Sequence, residues 1–213
     1  MRFVYLHGFA SSPRPRKAVA FQQALSSRGI HLEIPVLDRG DFRHLTISGQ
    51  LAVVQNLIHG EPACLAGSSM GGYLAALYAA LHPETARLVL MAPAFSFASR
   101  WESLLGADGL QRWRTTGATE VFHYGDQCPR EVSFDLYSDS LRHPPFPDFT
   151  QPALIFHGLR DEIVPIGLSR QFVLGHPNAV LRELDSDHEL LSALDQILTG
   201  SADFLTAPGG PQR

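Results

Sequence analysis

Cysteine is scarce in this chain: Cys64 and Cys128 are the only two among 213 residues. One pair makes no disulfide framework for a chain of this length, and its spacing matches no zinc-ligand pattern, so a reducing, cytoplasmic setting is expected. Charge is thin as well. Asp, Glu, Lys and Arg supply 18% of the residues, below the roughly 25% usual for globular domains. With 45% apolar content, this excludes a disordered chain or a charge-laced coiled coil. Seventeen basic against 21 acidic side chains leave a net charge of −4. No cationic surplus exists to neutralise a phosphate backbone, and no nucleic-acid partner is expected. The one basic cluster, Arg14 to Lys17 around Pro15, reads as a solvated loop and helix start. No run approaches the ~18 apolar residues of a membrane span. The chain opens directly into Arg2-Phe3-Val4-Tyr5-Leu6 without the pattern of an export signal. No H-x-H, H-x-x-x-H or C-x-x-C occurs, and no G-x-G-x-x-G follows a strand, so neither a metal nor a cofactor is expected.

What is present is a set of short apolar runs separated by helical stretches: Phe3 to Leu6, Leu32 to Leu37, Ala63 to Ala66, Leu88 to Met91, Ala153 to Phe156 and Val180 to Leu184. Most are continuous rather than alternating, as in strands covered on both faces, which predicts an α/β fold with a mostly parallel six-stranded sheet. Pro35 cannot donate to a ladder, so the second strand belongs at an edge beside the first and the order 2-1-3-4-5-6 follows. Ligands in such sheets bind at the carboxyl ends of strands flanking the reversal, here just after Leu6 and just after Ala66. Helices are predicted at about 16–28 and 44–58, after Gly72 as far as His82 before Pro83, at 166–174 and at 189–205.

The length suits a single domain spanning 1–213. Residues 93–151 differ from the rest, holding ten of the 20 aromatics and five prolines in 59 positions. This is too long for an ordinary connection and predicts an inserted cap: two short helices, a turn near Gly125-Asp126 and a helix begun at Ser133. Its aromatics, among them Phe95, Phe97 and Trp101, form either the cap's own small core or the lining of an acyl pocket. The Pro- and Gly-rich end, Ala207 to Arg213, reads as a frayed tail.

Gly67-Ser68-Ser69-Met70-Gly71-Gly72 follows the third run and precedes the best-marked helix. A G-x-S-x-G string at such a strand-to-helix turn lifts the central hydroxyl clear of the sheet, which nominates Ser69 over Ser68 as a nucleophile. A serine hydroxyl needs a base, and the base needs an orienting group. Of the ten histidines, His188 stands just past the last strand. The loop after the fifth strand offers Asp161 and Glu162; Asp161 is preferred, since Glu162 falls on the following turn with Arg160 available to bind it. Asp126 and Asp135 are more distant alternatives. His7 and His157 read as braces at strand ends, and Cys64 as a small core residue.

Four blocks in order resemble the α/β-hydrolase superfamily, in particular the YqiA-like small esterases and the ABHD10-type acyl-protein thioesterases. They are Tyr5-Leu6-His7-Gly8-Phe9-Ala10-Ser11-Ser12-Pro13, the Gly67 to Gly72 turn, His157-Gly158 through Asp161 to Val164-Pro165, and Ser186-Asp187-His188. The resemblance implies Ser69 as nucleophile, Asp161 as acid and His188 as base. It further implies an oxyanion hole from the backbone N–H groups of Phe9 and Met70. It points to a serine carboxylesterase or thioesterase acting on small to medium acyl groups, with the cap setting substrate preference. Two rival readings stay open at this point: a non-enzymatic module that binds a ligand or partner, and a peptidase on the same three residues.

Overall fold

The computed structural model describes residues 1–11 and 16–207. Ser12 and Pro13, the start of the basic cluster at Arg14 and Pro15, and all of the expected tail Ala207 to Arg213 except Ala207 lie outside the described residues. Among the described residues the strands are β1 (Arg2–Leu6), β2 (Ala63–Ser68), β3 (Thr85–Met91), β4 (Ala118–His123), β5 (Cys128–Ser133), β6 (Ala153–Gly158) and β7 (Ala179–Leu184). The helices are α1 (Arg16–Ser26), α2 (Ile47–Ile58), α3 (Met70–Leu81), α4 (Phe97–Thr116), α5 (Asp135–Ser140), α6 (Ile166–Gly175) and α7 (Leu194–Thr206). No helix among these residues is long and apolar enough to cross a membrane.

The main sheet has five strands in the order β1-β2-β3-β6-β7, every neighbouring pair parallel. This corrects the six-strand expectation at one element. The run Leu32 to Leu37 does lie beside β1, but it contributes a single bridge, Val4 to Glu33. Glu33 exchanges two backbone hydrogen bonds, donating to the Phe3 carbonyl and accepting from the Tyr5 N–H, both at 2.8 Å. Two residues on, Pro35 has no N–H to continue the ladder, so the pairing stops there.

Side chains alternate across the pleat and feed two cores. Val4, Leu6, Leu88, Leu90 and Ile155 face one side with Val54 and Ile58 of α2, Leu74 and Leu77 of α3 and Phe172 of α6. Tyr5, Cys64, Ala66, Val89, Leu154 and Phe156 face the other with Ala18, Phe21 and Leu25 of α1 and Ile197, Ala202 and Leu205 of α7. Each fully buried large apolar side chain of this kind contributes about 1.5–3 kcal/mol. Lys17, expected in a solvated helix start, is instead buried within α1.

The segment between β3 and β6 contains elements that periodicity only partly exposed. α4 is broken at Gly106, whose φ of 61° and ψ of 179° are not helical, so its halves are the two short helices expected there. The expected turn is the tip of a hairpin, β4 paired antiparallel with β5 from Ala118↔Ser133 to His123↔Cys128. α5 begins at Asp135, and the Ser133 hydroxyl accepts the Asp135 N–H at 3.2 Å. The hairpin docks on the loop after β1: the Tyr124 N–H donates to the Ala10 carbonyl at 2.7 Å.

Candidate active site

β2 ends at Ser68, and the chain reverses into α3 through one residue. Ser69 sits at φ 54°, ψ −119°, a region that non-glycine residues rarely occupy. The surroundings over-determine this conformation. The Ser69 N–H donates to the Met91 carbonyl at 2.8 Å, while its own carbonyl accepts from Gly72, Tyr73 and Ala94 at 3.0, 3.1 and 3.0 Å. Strain held by its neighbours in this way is a frequent mark of a functional turn. The turn also requires close backbone approach. A Cβ on Gly71 would run into the Leu6 carbonyl, and one on Gly67 into the Gly71 carbonyl.

The loops after β6 and β7 are laced together at the same edge of the sheet. Leu159 N–H donates to the Leu184 carbonyl at 2.8 Å and Arg160 N–H to the Ser186 carbonyl at 3.0 Å. A Cβ on Gly158 would lie 2.5 Å from both the Ser186 and Asp187 carbonyls, so only glycine lets the two loops touch. This contact brings Asp161 to His188. The Arg160 guanidinium pairs with Asp185 rather than with Glu162.

His188 Nδ1 lies 2.8 Å from Asp161 Oδ2, and His188 Nε2 lies 3.1 Å from Ser69 Oγ. Asp161 has a fully buried side chain. Its Oδ1 accepts the Ile163 and Val164 N–H groups at 2.9 and 2.7 Å, while Oδ2 also has His157 Nε2 at 3.2 Å. Burial alone would push this carboxyl upward. The hydrogen bonds from His157 and His188, the nearby imidazole charge and the Val164 N–H outweigh it and hold Asp161 well below the usual carboxylate range. An ionised Asp161 accepts from Nδ1–H, which leaves the Nε2 lone pair facing the serine hydroxyl.

His157 was expected only as a brace at a strand end. It is fully buried, with Nδ1 at 2.8 Å from Ser169 Oγ and Nε2 at 2.9 Å from the Val164 carbonyl as well as near Asp161. Both neighbours of Nε2 are acceptors, so that nitrogen carries the proton. The spacing His157 to Asp161 across the end of β6 was the available signal for this contact.

The loop after β1 covers Ser69 from the other side. A Cβ on Gly8 would lie 3.5 Å from Ser69 Cβ. Among the described residues, neither the Phe9 N–H nor the Met70 N–H donates to a protein acceptor. The Phe9 ring packs on Phe42 and Trp101, centroids 5.5 and 5.7 Å away. Phe97 stacks on Tyr73 at 6.2 Å and Phe95 on Phe172 at 4.3 Å, so the three named aromatics are built into the core, Trp101 alone of them meeting Phe9. Asp126 is engaged by Arg130 at 2.7 Å and Asp135 by the Ser133 hydroxyl at 2.9 Å; neither meets His188. Cys64 is a buried core thiol, raised by burial to a pKa of about 11.

A parallel sheet flanked by helices on both faces, with a strained serine at a strand-to-helix turn and acid and histidine loops at the same strand ends, is the α/β-hydrolase fold. Solved structures agree. The chain is 20% identical to alpha/beta hydrolase domain-containing protein 10 from mouse, with a TM-score of 0.79 over 95% of this chain and 88% of that one. A protein from Agrobacterium vitis S4 is 25% identical, with a TM-score of 0.82 over 96% and 87%. Est1E from Butyrivibrio proteoclasticus, with ferulic acid bound, is 21% identical, with a TM-score of 0.79 over 95% and 86%. Within this fold the chain belongs to the uncharacterised protein family UPF0227, whose model matches residues 2–204. No protein of curated function matches the sequence.

Proposed function

We propose that this chain is a serine hydrolase that cleaves carboxylic esters or thioesters of small to medium acyl groups. The observation that carries the proposal is the unbroken relay from Asp161 through His188 to Ser69 at 2.8 and 3.1 Å. In the first half-reaction His188 Nε2 takes the Ser69 proton as Oγ attacks the acyl carbon, and the developing oxyanion is met by the Phe9 and Met70 N–H groups. Asp161 orients the ring and stabilises its cationic form. His188 then gives that proton to the departing alcohol or thiol, and the carbon–oxygen or carbon–sulfur bond breaks. Water deprotonated by the same nitrogen attacks the acyl-enzyme, releasing the acid and returning the proton to Ser69. No metal or cofactor enters any step. The segment from Pro93 to Gln151 serves as the cap over this site, and the free thiols of Cys64 and Cys128 suit a reducing cytoplasm.

Hydrolysis of nitrophenyl esters of graded chain length, beside an acyl-CoA, tests the proposal and sets the preferred acyl group. Ser69→Ala and His188→Ala should each lower kcat by at least ~10³-fold without loss of fold. Retention of wild-type hydrolysis by Ser69→Ala would overturn the assignment.

A further inference from the structure

A cavity of about 540 Å³ lies against the oxyanion loop, walled by His7 of that loop, by Asp38 and Gly40 to Arg43 after the Glu33 bridge and by the β4–β5 hairpin. Its charge is lopsided. Arg43 is tied to Glu131 at 2.6 Å and Arg130 to Asp126 at 2.7 Å, so both cations among the described wall residues are already neutralised. Asp38 and Glu120 remain on the walls as surplus carboxylates, while Asp41 is engaged by His44 at 2.9 Å.

The second observation is His7. The residue is 6% exposed, and its Nε2 is buried with no hydrogen-bond partner. Nδ1 lies 3.0 Å from the Gly8 carbonyl, which can only accept, so Nδ1 carries the proton and Nε2 presents a lone pair. Burial, partly offset by the Gly8 contact and Asp38, holds the ring's pKa down and keeps that lone pair available. An orphaned buried acceptor in the same cavity wall as the surplus carboxylates Asp38 and Glu120 calls for a ligand rich in donors and positive in charge. One residue further along the chain is Gly8, where a Cβ would lie 3.5 Å from Ser69 Cβ.

We propose that this cavity is the leaving-group subsite and that it takes an alcohol or thiol bearing a protonated amine. The inference rests on the hydrolase reading of Ser69, His188 and Asp161. The ammonium donates to His7 Nε2 and lies in the field of Asp38 and Glu120, while the acyl group occupies the other side of Ser69.

Three esters of one acyl group, with aminohexyl, heptyl and carboxyhexyl leaving groups, separate charge from length. The account expects kcat/KM to fall in that order, with roughly a tenfold advantage for the amine over the neutral ester at low salt. This advantage should shrink at about 1 M salt, where the screening length is ~3 Å. In the double variant Asp38→Asn, Glu120→Gln the amine-to-neutral ratio should approach one, whereas the remote Asp203→Asn should leave it at the wild-type value. Equal rates on all three esters, or an unchanged ratio in the double variant, would overturn the subsite while leaving the hydrolase reading intact. A second arm does not need turnover: titration of aminohexanol should move the His7 Nε2 nitrogen resonance and heptanol should not. If no ester is cleaved at all, the hydrolase reading fails and this titration alone decides the subsite; identical responses to the two alcohols reject it, as does a cavity that holds only water.

Discussion

Asp161→Asn tests the proposed orienting carboxylate with little change of shape. Asn keeps an oxygen where Oδ1 accepts the Ile163 and Val164 N–H groups, at 2.9 and 2.7 Å. Its amide nitrogen replaces Oδ2 and faces His188 Nδ1, which now stands 2.8 Å away as a donor. Two donors cannot share that line, so the imidazole proton moves to Nε2 and Nδ1 accepts from the amide. Nε2–H then points at Ser69 Oγ and has no lone pair with which to take its proton. His157 keeps the Val164 carbonyl at 2.9 Å, so it is not orphaned. The folding cost is therefore about one charge-assisted hydrogen bond, ~1.5–3 kcal/mol. For a domain of this size that converts to a drop in Tm of roughly 3–12 °C. The catalytic cost is far larger, about 10⁴ in kcat, the size of the same change in a serine-protease triad. Ester turnover and a thermal melt on one preparation read both quantities. A variant with kcat within tenfold of wild type and a native melt would refute Asp161 as the orienting acid. Asp161→Ala should melt lower still, because it strips the acceptor from two backbone N–H groups.

Further outcomes follow from the same contacts. The folded Asp161 carboxyl titrates below its unfolded value of ~3.9, so its stabilising contribution is complete above that pH and is lost as pH falls towards the folded pKa. The acid limb of a Tm-against-pH curve should be shallower in Asp161→Asn than in wild type; identical limbs would contradict this linkage. His157→Phe should lower both kcat, with KM unchanged, and Tm, since the buried Asp161 carboxylate loses one of the donors that fix it in line with His188 Nδ1. His157→Gln, whose amide can reach the same acceptors, should recover part of both effects; a parallel loss in the two variants would mark a packing role only. Gly71→Ala places a methyl against the Leu6 carbonyl and should destabilise the fold by about 1–3 kcal/mol or more, read as a lowered urea midpoint. Trp113→Phe should cost about 1–3 kcal/mol, because the buried Val132 carbonyl loses the indole N–H at 3.0 Å.

The parallel sheet was readable because its strands are buried on both faces, so Leu88 to Met91 and Ala153 to Phe156 are continuous apolar runs. Ser69, Asp161 and His188 could be nominated because each stands at a strand end in a local string, and the fold brings the three side chains together. The run Leu32 to Leu37 has the same apolar character, and only the missing N–H of Pro35 limits it to one bridge. The β4–β5 hairpin escaped notice because its pattern, intermediate and exposed up to His123, carries few strong apolar alternations. Its fixing bond, from Tyr124 to Ala10, joins residues more than a hundred positions apart. The burial of Lys17 is likewise a product of packing, which no short window of sequence contains, whereas the contact of His157 with Asp161 spans only four positions and left a signal in its spacing.

The central claim is that Ser69 is an activated nucleophile. Treating the folded protein with a fluorophosphonate and measuring intact mass, followed by peptide mapping, tests it without any assumption about substrate. The account predicts one adduct per chain, on Ser69, abolished by unfolding and strongly slowed in His188→Ala. A folded protein that stays unlabelled, or that carries its adduct on Ser68 or elsewhere, would contradict it.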